Sequence, residues 1–558
     1  MSPRVVVIGG GLAGLSAAIE LQEAGAAVTL LEARPWLGGA TCSFSRGGLA
    51  IDNGQHVFLR CCTAYREFLA RLGVTGSAQL QDRFDVTVLR PGGRARLSRT
   101  ALPSPLHLAR SLAGYSFLPL ADRLRAARAV LGMRLADPAS PALDQARLGD
   151  WLSARGQREP ARRRLWDLFI VSTLNIAGDD ASAALAAKVI KTALLGKRDA
   201  ADIGVPSVPL GELHGRAAAE LLHRLGADVR LSTKATSVQQ RPGGGFLVHA
   251  AAAADRARAP EGGRDPGEPE EHRAHANHGE TENHPAAGPP DEAGATVLHA
   301  DGVVLAVPSW AAPPLVPAAL AAPAADWPGL GVSPIVNVHV IYDRRVTRLP
   351  FAAAVDSPVQ WVFDKTRQAG LQSGQYLAVS LSAADMHVDV PVARMRELFL
   401  PALQELFPVA GGAQVSDFFV TRERRATFRQ EPGSGALRPA AATAMPGLVL
   451  AGAWTDTGWP DTMEGAVRSG VTAAAEMRRA LATLCPDDAG AGPASAEGFP
   501  SRPGGQAAAS EPGPAGPAAR HAGHREAGTQ APGGYPPAAG RAGAAVPEDA
   551  ETTAGAAS

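Results

Sequence analysis

An excess of one charge, cysteines in metal-ligating order and long apolar runs are all missing from this chain. Its 558 residues carry 54 Lys+Arg against 54 Asp+Glu, and without a basic stripe nucleic acid is not an expected partner. The four cysteines, Cys42, Cys61, Cys62 and Cys485, have no ligand spacing. Adjacent Cys61 and Cys62 make a poor disulfide pair, so no metal is expected and a reducing cytoplasm fits. No uninterrupted apolar run reaches the roughly 18 residues of a membrane span. The opening MSPRVVVIGG enters a strand-like run at once and leaves no room for a signal peptide, so a cytoplasmic location is expected. What is present is 46% apolar residues, enough for a large core and, at this length, for more than one domain.

The stretch that organises the rest is Val5 to Gly39. Val5–Ile8 is a β-branched run of the kind buried on both faces of a parallel sheet. Gly9, Gly11 and Gly14 follow in the G-x-G-x-x-G order: one glycine for the tight turn, one for close approach of backbone to a pyrophosphate, one for helix against strand. Leu12, Leu15 and Ile19 share a helix face, and Gly25 ends that helix. Val28–Leu31 reads as a second strand, and Glu32 closes it where a carboxylate accepts hydrogen bonds from a ribose. Glycine-rich turns alone are weak evidence. Strand, glycines, helix, strand and acid in order make one βαβ unit that binds a dinucleotide, without deciding between FAD and NAD.

The continuation Glu32-Ala33-Arg34-Pro35-Trp36-Leu37-Gly38-Gly39 resembles the extended motif of FAD enzymes in the flavin amine oxidase and phytoene desaturase superfamily. Asp52-Asn53-Gly54-Gln55-His56 reads from its residues as a turn. It also looks like the loop that, in hydroxysqualene dehydroxylases of hopanoid biosynthesis, runs under the isoalloxazine ring. The segment Gly226 to Val238 resembles the one whose backbone meets adenine near Ala235, and Asp301 to Pro308 a further strand of the superfamily. Leu448 to Gly470 is similar to its second FAD signature. The resemblance implies FAD as cofactor and an α/β fold: a Rossmann-type FAD-binding domain with a discontinuous α+β substrate domain, flavin amine oxidase-like, plus a disordered insertion and C-terminal tail. It implies cofactor contacts at Gly9, Gly11, Gly14, Glu32, Arg34, Gly38, Gly39, Asn53, Gly54, Ala235, Gly452, Met463 and Glu464. Two departures stand out: Ala453 occupies a position usually acidic in relatives, and Asp461 one that is usually small and apolar.

The expected division is 1–75, 206–311 and 441–485 for the FAD-binding domain, and 76–205 (mostly helical) and 312–440 (sheet) for the substrate domain. Ser104 to Leu135 is amphipathic in patches and broken at Pro119; it either packs on a core or lies on a membrane surface. Asn175 stands among apolar residues, where a buried asparagine usually satisfies backbone. A hairpin arm, Phe246–Ala250, should pair with Thr296–Ala300. Between the two arms, 251–294 has too little apolar matter to offset ordering entropy and reads as a disordered insertion, its histidines His272, His275, His278 and His284 scattered rather than gathered on a metal. The tail 486–558 reads the same way.

From the resemblance, the implied reaction is reductive dehydroxylation of hydroxysqualene to squalene. Hydroxide is a poor leaving group, so an acid is needed; His56 is the first candidate and Asp461 the second. The helix beginning near Met463 should aim its N-terminal amides at the N1/C2=O edge of the flavin. Moving a C30 hydrocarbon from water into protein would release about 0.8 kcal/mol per CH₂, roughly 24 kcal/mol in all, beyond known affinities. The substrate must therefore come from lipid, which implies peripheral contact with the inner face of the membrane and squalene-synthase-like enzymes upstream. The alternatives are a phytoene-type desaturase, an amine oxidase, for whose aromatic cage five tyrosines in the whole chain are few, and a prenyl-lipid carrier on the same fold, of the Rab GDP-dissociation inhibitor kind.

Overall fold

The computed structural model describes residues 2–253 and 296–484. Five strands form a wholly parallel sheet in the order Asp228–Arg230, Ala27–Leu31, Arg4–Ile8, Gly302–Leu305, Leu448–Leu450. Val5 to Ile8 are all buried, as a strand covered on both faces requires. The helix Leu12–Glu23 lies on one face against the 22-residue helix Met463–Leu484. The crossing is close because Gly470 carries no side chain: a Cβ there would intrude on the Ala13 carbonyl oxygen. Ser16 Oγ donates to the Val467 carbonyl at 3.3 Å across the same contact. The first and last helices of the described residues are thus packed together.

The hairpin arm forms with the register Phe246↔Ala300 to Ala250↔Thr296. Its strand runs on to Ala252, which pairs with Thr233, so residues 251 and 252, expected in the insertion, belong to the arm; 254–295 and the tail lie outside the described residues.

The substrate-domain sheet has seven strands in the order Val415–Thr427, Ser333–Tyr342, Gln375–Leu381, Trp361–Asp364, Phe351–Ala354, Asp85–Arg90, Gly93–Ser98. The last two lie within 76–205, the segment expected to be mostly helical, and add strands to it. They form a hairpin that joins the sheet through a parallel pairing of Val88 with Ala353, a partner invisible locally. Ala78–Leu80 and Ile203–Pro206 are strands as well. Beyond them the segment is helical, with the helix Leu120–Leu135 starting directly after Pro119. Asn175 turns out structural: it ends a helix at φ 50°, and its amide bridges the Ser333 carbonyl, Thr427 and the Ala383 amide. Among the described residues no helix is long and apolar enough to cross a membrane.

Candidate active site

The glycine turn follows the strand Arg4–Ile8. Gly9 has φ +110°, and a Cβ there would run into the Ala306 carbonyl; a Cβ at Gly14 would run into the Gly9 carbonyl, which locks helix to strand. Gly11 differs. A Cβ there would meet nothing nearer than Gly39 Cα at 3.9 Å, so the fold leaves space where the backbone is to approach a ligand. Gly38 N donates to the Gly10 carbonyl at 2.8 Å, and Arg34 Nη1 donates to the Gly39 carbonyl at 3.3 Å. The second glycine pair thereby closes over the first. Glu32 is buried; its carboxylate accepts from Gly10 N at 2.6 Å and Arg34 N at 2.8 Å. Its own carbonyl accepts from Thr233 N at 2.8 Å, which brings the strand carrying Ala235 alongside.

The second signature reaches the same place. Leu448–Leu450 pairs with Gly302–Leu305, next to Arg4–Ile8. Gly452 N donates to Ser469 Oγ at 2.8 Å, and a Gly465 Cβ would touch that of Ala453. Arg438, buried under the loop, donates to the Ala453 carbonyl at 2.9 Å, so the missing acidic side chain at 453 leaves a position whose backbone is firmly held. Thr462 Oγ1 accepts from Gly465 N at 3.2 Å and caps the C-terminal helix. The amides of Met463 and Glu464 in its first turn have no intrahelical acceptor, as at any helix start. The Glu464 carboxylate is engaged elsewhere. It accepts from Tyr65 N at 2.7 Å and Ala64 N at 3.2 Å, at the start of the helix Thr63–Arg71, and pairs with Arg468 at 2.7 Å. Its backbone is what Glu464 has left to offer a cofactor.

The loop Asp52 to His56 sits between these segments and the substrate-domain sheet. Asp52 is a hub: Oδ1 accepts from Ser43 Oγ at 2.6 Å and Leu210 N at 2.9 Å, Oδ2 from Lys365 Nζ at 3.0 Å and Gln368 Nε2 at 2.8 Å. Lys365 is buried, and burial holds its pKa below the usual lysine value while Asp52 pulls it back up. The Asn53 carbonyl accepts from Asn337 Nδ2 and Thr421 Oγ1, both at 3.2 Å. Gly54 backs onto His56, whose Nδ1 lies 3.4 Å from the Gly54 carbonyl. Burial pushes the His56 imidazole below its ordinary pKa, against the pull of Asp52. A neutral imidazole is a weak proton donor, which counts against His56 as the first choice of acid. Asp461 shows the opposite perturbation: burial raises its pKa from 3.8 to about 6, against the Phe428 amide, which donates to Oδ2 at 2.8 Å, and the Arg438 charge.

Sequence reasoning missed Lys365, Asn337, His339 and Thr421. The signal was there in Ile335–Tyr342, where polar Asn337 and His339 alternate with Val336, Val338 and Val340. His339 bridges Tyr376 OH at 2.7 Å and Thr421 Oγ1 at 2.9 Å and stacks on Phe419. Directly paired residues share a sheet face, and the register sets Asn337 beside Ser380 and Trp361, His339 beside Ala378 and Phe363, and Phe363 beside Phe351. One face thus runs from a polar end at the Asn53 loop to an aromatic end at Phe351.

Three buried polar atoms at this loop have no partner: Asn53 Oδ1, Gln55 Nε2 and Asn337 Oδ1. Buried polar groups are nearly always bonded, so a ligand presenting both donors and acceptors fits, as an isoalloxazine with its N–H and C=O edge does. The model of flavin-containing amine oxidoreductases matches residues 12–259 and 290–478. The chain belongs to that family. Hydroxysqualene dehydroxylases of Rhodopseudomonas palustris and Sinorhizobium fredii are 30% and 29% identical to it over 485 residues, 85% of this chain and 98% of each relative. A zeta-carotene desaturase of Zea mays is 31% identical over 176 residues, 29% of this chain and 31% of its own. A redesigned putrescine oxidase superposes with a TM-score of 0.61 at 18% identity, covering 86% of this chain and 99% of its own, which shows the shared fold. The protein is a FAD-dependent oxidoreductase.

Proposed function

We propose that this enzyme reductively removes the hydroxyl of hydroxysqualene, giving squalene and water. Asp461 carries the reading within the hydroxysqualene dehydroxylase resemblance. Departure of hydroxide from an allylic carbon needs a proton at oxygen, and a carboxyl with a pKa near 6 keeps a useful protonated fraction near neutrality. A desaturase drawing hydride from a hydrocarbon has no leaving oxygen to protonate. The amine oxidase alternative has no support from the tyrosines either: the four among the described residues, Tyr65, Tyr115, Tyr342 and Tyr376, are all core residues, and three are hydrogen-bonded to His214, the Arg164 carbonyl and His339.

FAD, when bound and reduced, would supply the hydride. Asp461 would give its proton to the hydroxyl, so that the oxygen leaves as water when the C–O bond breaks; with one proton from Asp461 and one hydride delivered to carbon, charge and electrons balance. Neutral His56, beside Asp52 and Lys365 and against the Gly54 carbonyl, would hold the Asn53–His56 loop in place for the cofactor. Met463 and Glu464 offer backbone amides at a helix end carrying about half a positive elementary charge, which would favour electron density on a flavin held there. The polar end of the sheet face receives the hydroxyl, and Trp361, Phe363 and Phe351 receive the hydrocarbon. A substrate so apolar is drawn from lipid, which requires peripheral membrane contact at the inner face. Anaerobically photoreduced enzyme mixed with hydroxysqualene should reoxidise its flavin and release one squalene per flavin. A flavin that stays reduced, with no squalene formed, overturns the proposal.

A further inference from the structure

The helix Leu120–Leu135 is built inside out. The residues it buries are Asp122, Ala126, Ala129 and Met133, while Leu120, Leu124, Leu131 and Leu135 are 65%, 65%, 58% and 80% exposed. At about 100° per residue the four leucines fall within roughly 60° of arc, on the side opposite the buried one. A surface helix ordinarily turns its leucines inward; here small alanines face the core and the large side chains form a continuous stripe in solvent. Arg128 and Arg134 flank that stripe. Both are exposed and, among the described residues, neither makes a salt bridge. The preceding turn adds exposed Leu102, Leu106 and Arg110, and its helix Ala109–Ala113 packs against Leu120–Leu135. Charge is segregated too: residues 94–135 hold eight arginines and one acid, Asp122, in a chain whose net charge is zero.

We propose that this stripe docks the enzyme on an anionic lipid bilayer, with Leu120, Leu124, Leu131 and Leu135 in the acyl boundary and Arg128 and Arg134 at the headgroup phosphates. A stripe of leucine flanked by unpaired arginine is the pattern of a helix lying in the plane of the interface. A protein partner using this stripe would need acids to meet the arginines, and a second copy of this chain would bring its own arginines against them. The surface stands on its own geometry; taking it as the place where substrate enters rests on the dehydroxylase reading.

Full-length, flavin-loaded protein should float with vesicles of phosphatidylglycerol and phosphatidylcholine and much less with phosphatidylcholine alone, the difference shrinking at 0.5 M salt as charges are screened. Replacing the four leucines together by Gln should lower vesicle partitioning at least tenfold, and Arg128→Gln with Arg134→Gln should abolish the preference for anionic lipid. Both variants should keep full flavin absorbance and full turnover of detergent-dispersed substrate, while turnover of vesicle-embedded substrate falls in step with binding. Wild-type protein that does not float, a leucine variant that floats as well as wild type, or a wild-type dimer that the leucine variant turns into monomer each overturns the proposal. Vesicle binding is read without substrate, so intact binding with unreactive hydroxysqualene would sink the reaction and spare the surface.

Discussion

Asp461→Asn should make the protein more stable and nearly inactive. Folding raises the carboxyl from 3.8 to about 6, so the native chain holds the proton more tightly than the unfolded one. Stability therefore falls as pH rises from 3.8 to about 6, by about 1.4 kcal/mol per unit and about 3 kcal/mol in all, and stays reduced above that. Asparagine keeps an acceptor for the Phe428 amide and carries no charge, so the variant should gain up to about 3 kcal/mol at pH 7.5 and show no step between pH 4 and 6. The same change removes the proton donor, and turnover should drop by about 10² to 10⁴. In wild type the rate of flavin reoxidation by substrate should fall about tenfold per unit above pH 6, as the acid form is depleted; in the variant this limb should vanish. Anaerobic stopped-flow across pH 5 to 9, with denaturant melts of the same samples, reads both effects. A variant that turns over at the wild-type rate with an unchanged pH profile would refute the assignment.

The glycines of the turn should separate by role. Gly11→Ala should fold normally and lose flavin, since its Cβ meets only Gly39 Cα at an ordinary 3.9 Å, whereas Gly14→Ala should fail to fold because its Cβ collides with backbone; melting curves and the flavin-to-protein absorbance ratio tell them apart. Glu464→Gln should cost about 1 kcal/mol through the weakened cap on Thr63–Arg71 and leave flavin content unchanged, as denaturant titration and absorbance will show. Lys365→Met leaves Asp52 buried without its cation and should cost about 3–5 kcal/mol at neutral pH, as denaturant titration will show. His56→Ala should retain flavin and slow its reoxidation by substrate less than Asp461→Asn does.

Local signals were legible wherever the partner lay nearby or the chemistry named itself. Val5 to Gly39 gave strand, turn, helix and strand, and Phe246–Ala250 found Thr296–Ala300 across 254–295 because both arms alternate and end in turns. The hairpin Asp85–Ser98 was hidden because the strand it extends, Phe351–Ala354, lies far along the chain, although Pro91-Gly92-Gly93 marks its turn. The helix Leu120–Leu135 showed its amphipathicity but not its orientation, since periodicity does not say that alanine faces in and leucine out. The polar wall of Asn337, His339 and Thr421 and the Asp52–Lys365 pair depend on contacts between residues hundreds of positions apart. Asp461 was visible only as a departure from its family; burial is what turns a carboxylate into an acid near neutrality.

Two distant glycine segments should share one FAD. A crystal structure of the yellow, flavin-loaded protein tests this directly. Density should run unbroken from an adenosine ribose at Glu32, past Gly11, to a ring lying between the Asn53–His56 loop and the start of the helix at Met463. Flavin bound away from either segment, or a chain that takes up none, would contradict it.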